Sequence, residues 1–296
     1  MNILITGANG FLGKIVAKKL TDNGHKITAI VLPEEDTTYL ATLKNVNVIR
    51  GNLNNIENIK HHADKIDIII HLAALLNSSD RELNMKINYE ATKNIADLAE
   101  KNNIKKVIFT SSMTATSKNP NAYGESKKLA EEYLSKKTFR TIIIRPTLLY
   151  GKGGAAFMKL VGMLNMLPAI VPIIGKGNSI KQPIYVHDAA EIIKRAAETD
   201  FKENKIYQIG GPEQIEFKKY GKKILEAQGK NKIFVHAPRS IVWLMLGFAE
   251  KLLKNLPVTR EAILELETNT QVDYKIIEKD FKIKLTDLEK GIKESL

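Results

Sequence analysis

Apolar residues in this chain fall into short, nearly unbroken clusters, with stretches of helical period between them. Ile, Val and Leu dominate Asn2–Thr6, Lys26–Val31, Val46–Arg50, Asp67–Leu72, Lys106–Ser111 and Thr141–Arg145. Apolar side chains on consecutive positions suit strands covered on both faces, as in a parallel sheet. Phe11–Asn23, Asn55–Ala63, Arg81–Asn102 and Tyr123–Lys136 instead repeat their apolar positions at helical spacing. The alternation predicts an α/β fold, a doubly wound parallel sheet with helices on both faces.

The pattern changes after Gly151. Gly153-Gly154, Pro168, Pro172, Gly175 and Gly177 punctuate short apolar pieces, so Tyr150–Pro183 reads as irregular and cleft-forming. A helix over Asp188–Thr199 leads to a further strand at Lys205–Ile209. Helices are expected at Phe217–Gln228, Arg239–Lys254, Thr259–Leu266 and Leu285–Lys293. The predicted organisation is a domain over residues 1–150, completed by a strand and helix from about 184–210, and a smaller C-terminal lobe from 151–183 and 211–296, packed over the sheet edge. Within that lobe the stretch 240–249 (Ser-Ile-Val-Trp-Leu-Met-Leu-Gly-Phe-Ala) is apolar on every helical face. It reads as a buried helix; a membrane-surface patch and a dimer contact are the alternatives.

Composition narrows the class. The 296 residues include no cysteine, which excludes disulfides and thiolate metal sites, and no metal is expected in the site. Met1-Asn2-Ile3-Leu4 runs straight into the first strand, no apolar run approaches a membrane span, and a cytoplasmic protein without an integral membrane segment is expected. The net charge of +12 comes mostly from lysines spread along the chain. A nucleic-acid binder would concentrate them on one element, so no nucleic acid is expected as a partner. The charge favours an anionic ligand by long-range attraction.

Two local patterns carry chemistry. After the first strand, Gly7, Gly10 and Gly13 follow at three-residue spacing and an amphipathic stretch begins at Phe11. A strand, a glycine turn and a helix in this order let backbone N–H groups approach a pyrophosphate at the helix N-terminus, as in Rossmann-type dinucleotide sites. Downstream, Tyr123 and Lys127 stand four apart, on one face of a predicted helix, eleven residues after Ser112. An ammonium beside a phenol favours the phenolate, which makes the pair a proton donor and acceptor usable near neutral pH.

Five motifs occur in order: Thr6-Gly7-x-x-Gly10-x-x-Gly13, Asp67 with His71-Leu72-Ala73-Ala74, Phe109-Thr110-Ser111-Ser112, Tyr123-x-x-x-Lys127, and Arg145-Pro146 with Tyr150-Gly151. In these the chain resembles the extended or atypical short-chain dehydrogenase/reductase superfamily, the NAD-dependent epimerase/dehydratase group. The likeness continues through 183–188 (Pro-Ile-Tyr-Val-His-Asp) and 210–213 (Gly-Gly-Pro-Glu), nearly the whole length. The resemblance implies a Rossmann-type fold with a C-terminal substrate lobe, and NAD or NADP as cofactor. It implies that Tyr123 exchanges a proton with a substrate hydroxyl or carbonyl. Lys127 would favour the phenolate and bind the nicotinamide ribose, and Ser112 would orient the substrate oxygen. Cofactor contacts are implied for Gly7, Gly10, Phe11, Leu12, Gly13, Asn52, Leu53, Leu72, Ala73, Ala74, Ser111, Tyr123, Lys127 and Pro146, and substrate contacts for Ser112, Thr114, Leu148 and Lys181. Asn88 would support the site from the next helix, and His71 reads as a packed strand-end residue. A homodimer through the helices at Arg81–Asn102 and Tyr123–Lys136 is implied by the same analogy.

Departures from the pattern bear on identity. After the second strand stands Val31-Leu32-Pro33, with neither the acidic residue of NAD-preferring members nor the arginine of NADP-preferring ones; Glu34, Glu35 and Asp36 follow, and Lys14 and Lys44 are cations able to meet a phosphate. Asn52 stands where an acidic residue usually meets adenine. Leu148 replaces the usual Asn of sugar-nucleotide enzymes, and Lys181 their phosphate-binding Arg, without its bidentate fork. These changes are similar to branches that include hydroxysteroid-type and flavonol-type reductases and the accessory subunit of respiratory complex I. The expected function is an NAD(P)-dependent oxidoreductase or epimerase moving hydride to or from a hydroxy or keto carbon of a small molecule, with a nucleotide sugar as the first substrate named. A non-catalytic NAD(P)-binding accessory or sensor protein is the alternative of a different class. A dehydratase is less supported, because Met113-Thr114-Ala115 lacks the acidic residues such enzymes carry there.

Overall fold

Seven parallel strands form the main sheet. β1 (Asn2–Thr6), β2 (Lys26–Val31), β3 (Val46–Arg50), β4 (Ile68–His71), β5 (Lys106–Thr110) and β6 (Arg140–Pro146) are joined by the strand Lys205–Ile209, which pairs with β6. Their order across the sheet is Lys205–Ile209, β6, β5, β4, β1, β2, β3. The order reverses between β1 and β4, so ligands of such sheets bind beyond the C-terminal ends of these two strands. In the computed structural model, residues 1–76, 78–238, 242 and 268–296 are described. The apolar stretch 240–249 and the helices expected at Arg239–Lys254 and Thr259–Leu266 lie outside the described residues, Val242 apart.

The inner strands β1, β4, β5 and β6 are buried on both faces, which is why their sequences do not alternate, whereas the edge strands β3 and Lys205–Ile209 are partly exposed. On one face Leu4, Ile69, Val107, Phe109 and Ile143 pack with Ile95, Ala99, Ala130 and Leu134 from the helices Ala91–Lys101 and Ala122–Leu134. The helices on the other face are α1 (Phe11–Asp22) and Val186–Glu198, joined by a Lys19–Glu191 ion pair of 3.0 Å. The C-terminus of Val186–Glu198 is held from inside. Lys106, on β5, donates from Nζ to the carbonyls of Ala196 (2.9 Å), Ala197 (2.7 Å) and Thr199 (2.8 Å). Lys106→Met would take this donor from the Ala196 and Ala197 carbonyls, while the Thr199 carbonyl keeps the Phe201 N–H, and a loss of about 2–3 kcal/mol is expected. A urea midpoint equal to wild type would contradict this.

The chain divides into two compact units: Met1–Pro146 with Val186–Ile209 and Asp273–Lys284, and Thr147–Tyr185 with Gly210–Val272 and Leu285–Leu296. In the second unit, Leu149–Tyr150 pairs with Ile184–Tyr185, Ile180–Lys181 with Ile215–Glu216, and Ile170–Ile174 with Ile233–Ala237. Tyr150 lies at the centre of a cluster with Phe157, Tyr185 and Tyr220. Residues 150–183 are not irregular, as the glycines and prolines had suggested. They hold the helix Ala155–Asn165 and the strand Ile170–Ile174. Gly154 is the N-cap of that helix, so the glycine pair starts an element rather than interrupting one. Asn55–Ala63 is a correction of the opposite kind. Only Glu57–Lys60 is helical, because the Asn52 and Asn55 side chains accept the backbone N–H groups of Asn54 and Glu57 in competition with a helix. No helix among the described residues is long and apolar enough to cross a membrane.

Candidate active site

Four adjacent strands end side by side, and each brings residues singled out from the sequence to the same edge of the first unit. β1 delivers the glycine turn. Gly7 has φ +68°, and a Cβ on it would lie 2.7 Å from the Ala73 nitrogen beyond β4. A Cβ on Gly13 would lie 2.0 Å from the Gly7 carbonyl, so α1 seats directly on the turn. Gly10 is the N-cap of α1 and offers no side chain to the first-turn N–H groups, which begin at Phe11 and Leu12. A helix start of this kind is an anion site in waiting.

The end of β4 is locked to that turn by an ordered relay. Ala73 N–H donates to Thr6 Oγ1 (3.3 Å), which contacts His71 Nδ1 (2.6 Å). His71 Nε2 meets Thr92 Oγ1 (2.9 Å), whose hydroxyl donates to the Asn88 carbonyl. Because Thr92 spends its proton on that carbonyl, it accepts from His71 Nε2–H. In the neutral ring His71 Nδ1 then accepts from the Thr6 hydroxyl. Burial pushes the imidazole down to about 3, with the Lys127 charge as a smaller contribution. His71 therefore orients Leu72–Ala74 and exchanges no proton near neutral pH.

β5 ends in the serine pair. Ser112 caps a short 3₁₀ turn, Met113–Thr116, accepting from Thr114 N (3.1 Å) and Thr114 Oγ1 (2.8 Å). The helix Ala122–Leu134 begins against this turn, since a Cβ on Gly124 would fall 2.7 Å from the Thr114 carbonyl. Its N-cap is Asn121, whose Oδ1 accepts from Gly124 N at 2.8 Å. Tyr123 is half-buried at the helix start. Lys127, only 1% exposed, stands one turn later with Nζ 5.9 Å from the Tyr123 ring centroid. That ammonium donates to the Thr110 carbonyl (2.9 Å) and lies 4.5 Å from the Phe109 ring centroid. Burial pushes Lys127 down to about 7, and the carboxylate of Glu131 opposes the shift.

Asn88 joins these pieces. It lies in one turn of π-helix, Met85–Glu90, a local widening often found at functional sites. Its Oδ1 accepts from Leu75 N (2.7 Å), and its Nδ2 reaches the Leu75 carbonyl and Ser126 Oγ, both at 3.2 Å. Ser126 donates in turn to the Tyr123 carbonyl (2.7 Å). The π-turn, Ser126, the Thr6–His71–Thr92 relay and a buried Glu131–Arg145 ion pair were not drawn from the sequence. None of them has a spacing signature.

The remaining candidates are placed as follows. Asn52 is exposed and accepts from Asn54 N (2.9 Å), while the Leu53 side chain is buried in the core and its carbonyl accepts from Asn94 (2.8 Å). Pro146 ends β6, beside Ile209. Leu148 and Lys181 belong to the second unit. The Leu148 carbonyl accepts from Ile184 N (2.9 Å); Lys181 is 4% exposed, and its ammonium donates to the Thr268 carbonyl.

Residues 3–210 match the model of the NAD dependent epimerase/dehydratase family. The chain belongs to that family. Among its curated relatives is the 3 beta-hydroxysteroid dehydrogenase/Delta 5-->4-isomerase of Vaccinia virus (strain Ankara), 27% identical over 219 residues, which are 63% of each chain. Another is the decarboxylating sterol-4-alpha-carboxylate 3-dehydrogenase of Dictyostelium discoideum, 26% identical over 292 residues, covering 87% of this chain and 88% of that one. The alignment thus spans under two thirds of the viral protein. Among solved structures, the UDP-glucose 4-epimerase of Thermotoga maritima with UDP-glucose superposes with a TM-score of 0.80 at 21% identity, covering 100% of this chain and 97% of that one. At that identity the likeness establishes the Rossmann-type α/β fold.

The site's unsatisfied groups fit the dinucleotide of an epimerase/dehydratase family member. Of the five buried side-chain polar atoms without a hydrogen-bond partner among the described residues, Asn9 Oδ1 lies in the glycine turn and Thr110 Oγ1 and Ser111 Oγ at the end of β5; Asn54 Oδ1 and the Tyr220 hydroxyl lie elsewhere. Buried polar atoms are seldom left unpaired in a folded protein. Three at the ends of β1 and β5, the strands on either side of β4, mark a place for a polar ligand.

Proposed function

We propose that this protein is an NAD-dependent dehydrogenase or epimerase acting at a secondary alcohol or ketone, with Tyr123 as the acid/base. The carrying observation is the buried Lys127 ammonium beside Tyr123, on a helix that starts against the Ser112 turn. Gly7, Gly10, Leu72–Ala74 and Ser111 would hold the dinucleotide, with its pyrophosphate at the start of α1 and its nicotinamide ribose toward Lys127. When bound, the nicotinamide supplies the hydride acceptor or donor. Ser112 donates to the substrate oxygen and orients it. Tyr123 takes the hydroxyl proton on oxidation and returns it on reduction. Lys127, in its charged form, favours the phenolate that accepts this proton.

NAD rather than NADP is the preferred cofactor. Arg50, at the end of β3, is the arginine near the loop where a 2′-phosphate would bind, and it is committed elsewhere. Its guanidinium donates to the carbonyls of Leu32, Pro33 and Glu35 and so holds that loop closed on itself. The substrate is apolar. Leu148 supplies no amide, and the buried Lys181 spends its ammonium on a backbone carbonyl rather than offering it to a diphosphate. The names of the two dehydrogenase relatives point the same way.

The test is a titration of the purified protein with NAD and NADP, followed by turnover on hydroxysteroids, simple secondary alcohols and UDP-sugars. Tighter NAD binding and nicotinamide reduction with an apolar alcohol are expected. Tight NAD binding with no turnover of any panel member would instead favour a nucleotide-holding accessory protein.

A further inference from the structure

Directly beyond Lys127 on the same helix face lies Glu131, 6% exposed. Its carboxylate is gripped by Arg145 of β6, from Nε at 2.9 Å and from Nη2. Burying such a pair is costly unless its bonds are well made, and an apolar pair would serve packing as well. Its position beneath a buried lysine gives it work to do.

We infer that the Glu131–Arg145 pair is a positioning device for Lys127: the carboxylate keeps the ammonium charged, and Arg145 both fixes that carboxylate and limits its pull. The consequence for turnover rests on the role proposed above for Lys127; the charge effect does not. Among the described residues, the groups facing Lys127 are few. Its own helix contributes Tyr123 and Glu131, β5 contributes the Thr110 carbonyl and the Phe109 ring, and β4 contributes His71. His71 is neutral, because burial pushes its imidazole down to about 3. Arg145 acts from β6 through Glu131. Thus one carboxylate faces a lysine that burial has already pushed down to about 7. There, a shift of one unit changes the charged fraction at pH 7 from about one half to about one tenth.

Side-chain NMR of the lysine-labelled apoprotein, with the Lys127 signal identified by its loss in Lys127→Arg, reads this charge without cofactor or substrate. Glu131→Gln should lower the Lys127 midpoint by about one unit, and Arg145→Met should raise it by a similar amount. Glu131→Asp, which keeps the charge, should restore the wild-type value. Opposite signs are the signature, since mere loosening of the packing would move both variants toward the ordinary lysine range. Equal or absent shifts overturn the inference, and if Glu131→Gln does not fold, Arg145→Lys decides: with the positive charge kept, its midpoint should stay near wild type while Arg145→Met rises, and a rise in both overturns the inference. In turnover, Glu131→Gln should lose about five-fold at pH 7 and only about two-fold at pH 6. An equal loss at both overturns the link to activity. A wild-type protein with no activity would sink the proposed function and leave the titration result standing.

Discussion

Tyr123→Phe is expected to reduce turnover by about 10²- to 10⁴-fold, the usual contribution of a placed acid/base. Nucleotide affinity should scarcely change, because the phenol ring keeps its place at the helix start. The helix is fixed independently of the hydroxyl, by the Asn121 cap, the Gly124 contact and the Ser126 bond to the Tyr123 carbonyl. Lys127→Met should lose both turnover and affinity, since the ammonium is proposed to serve the ribose as well as the phenol. Steady-state kinetics on the substrate found in the panel, beside a nucleotide titration, separates the two. Turnover by Tyr123→Phe equal to wild type would remove the acid/base assignment.

The second large effect concerns stability. Gly13→Ala places a methyl group 2.0 Å from the Gly7 carbonyl, against backbone that cannot swing aside. Either α1 lifts from the turn or the turn deforms, and a loss of about 3 kcal/mol is expected. For a chain of this size the melting temperature should drop by roughly 5–10 °C. Gly162→Ala provides the contrast. It lies in the helix Ala155–Asn165 with nothing within 4 Å of a new Cβ, so the better helix former should stabilise by about 0.5–1 kcal/mol. Thermal melts of both variants test this. A Gly13→Ala protein as stable as wild type would mean that the turn does not carry the helix as described.

The centre of the sheet was legible because its inner strands are buried on both faces and therefore spell themselves in continuous Ile, Val and Leu, as at Ile3–Ile5 and Ile68–Ile70. In the second unit the helices Phe217–Ala227 and Leu288–Ser295 were legible, but its strands were not. Its pairs join stretches far apart in sequence, two of them only two residues long, and Pro172 sits inside a strand that the sequence offered as a breaker. Long-range pairing of short segments leaves no periodicity to read.

At the candidate site, the residues that could be named from the sequence are those with fixed spacing: Gly7, Gly10 and Gly13, Ser111 and Ser112, Tyr123 and Lys127. What escaped were the parts that hold them. Thr6, His71 and Thr92 meet only because β1 and β4 are neighbours, with Thr6 and His71 in register. Glu131 is in plain view four residues after Lys127, but Arg145 becomes its partner only when β6 lies beneath the helix. Supporting groups are set by topology, and topology is what a linear spacing cannot express.

A crystal structure of the NAD complex tests the central claim most directly. The nicotinamide ribose should contact Lys127 Nζ, with the Tyr123 hydroxyl and Ser112 Oγ facing the open side of the nicotinamide ring. A dinucleotide bound away from Lys127, or a Tyr123 hydroxyl turned from the ring with no room to reach it, would contradict the account.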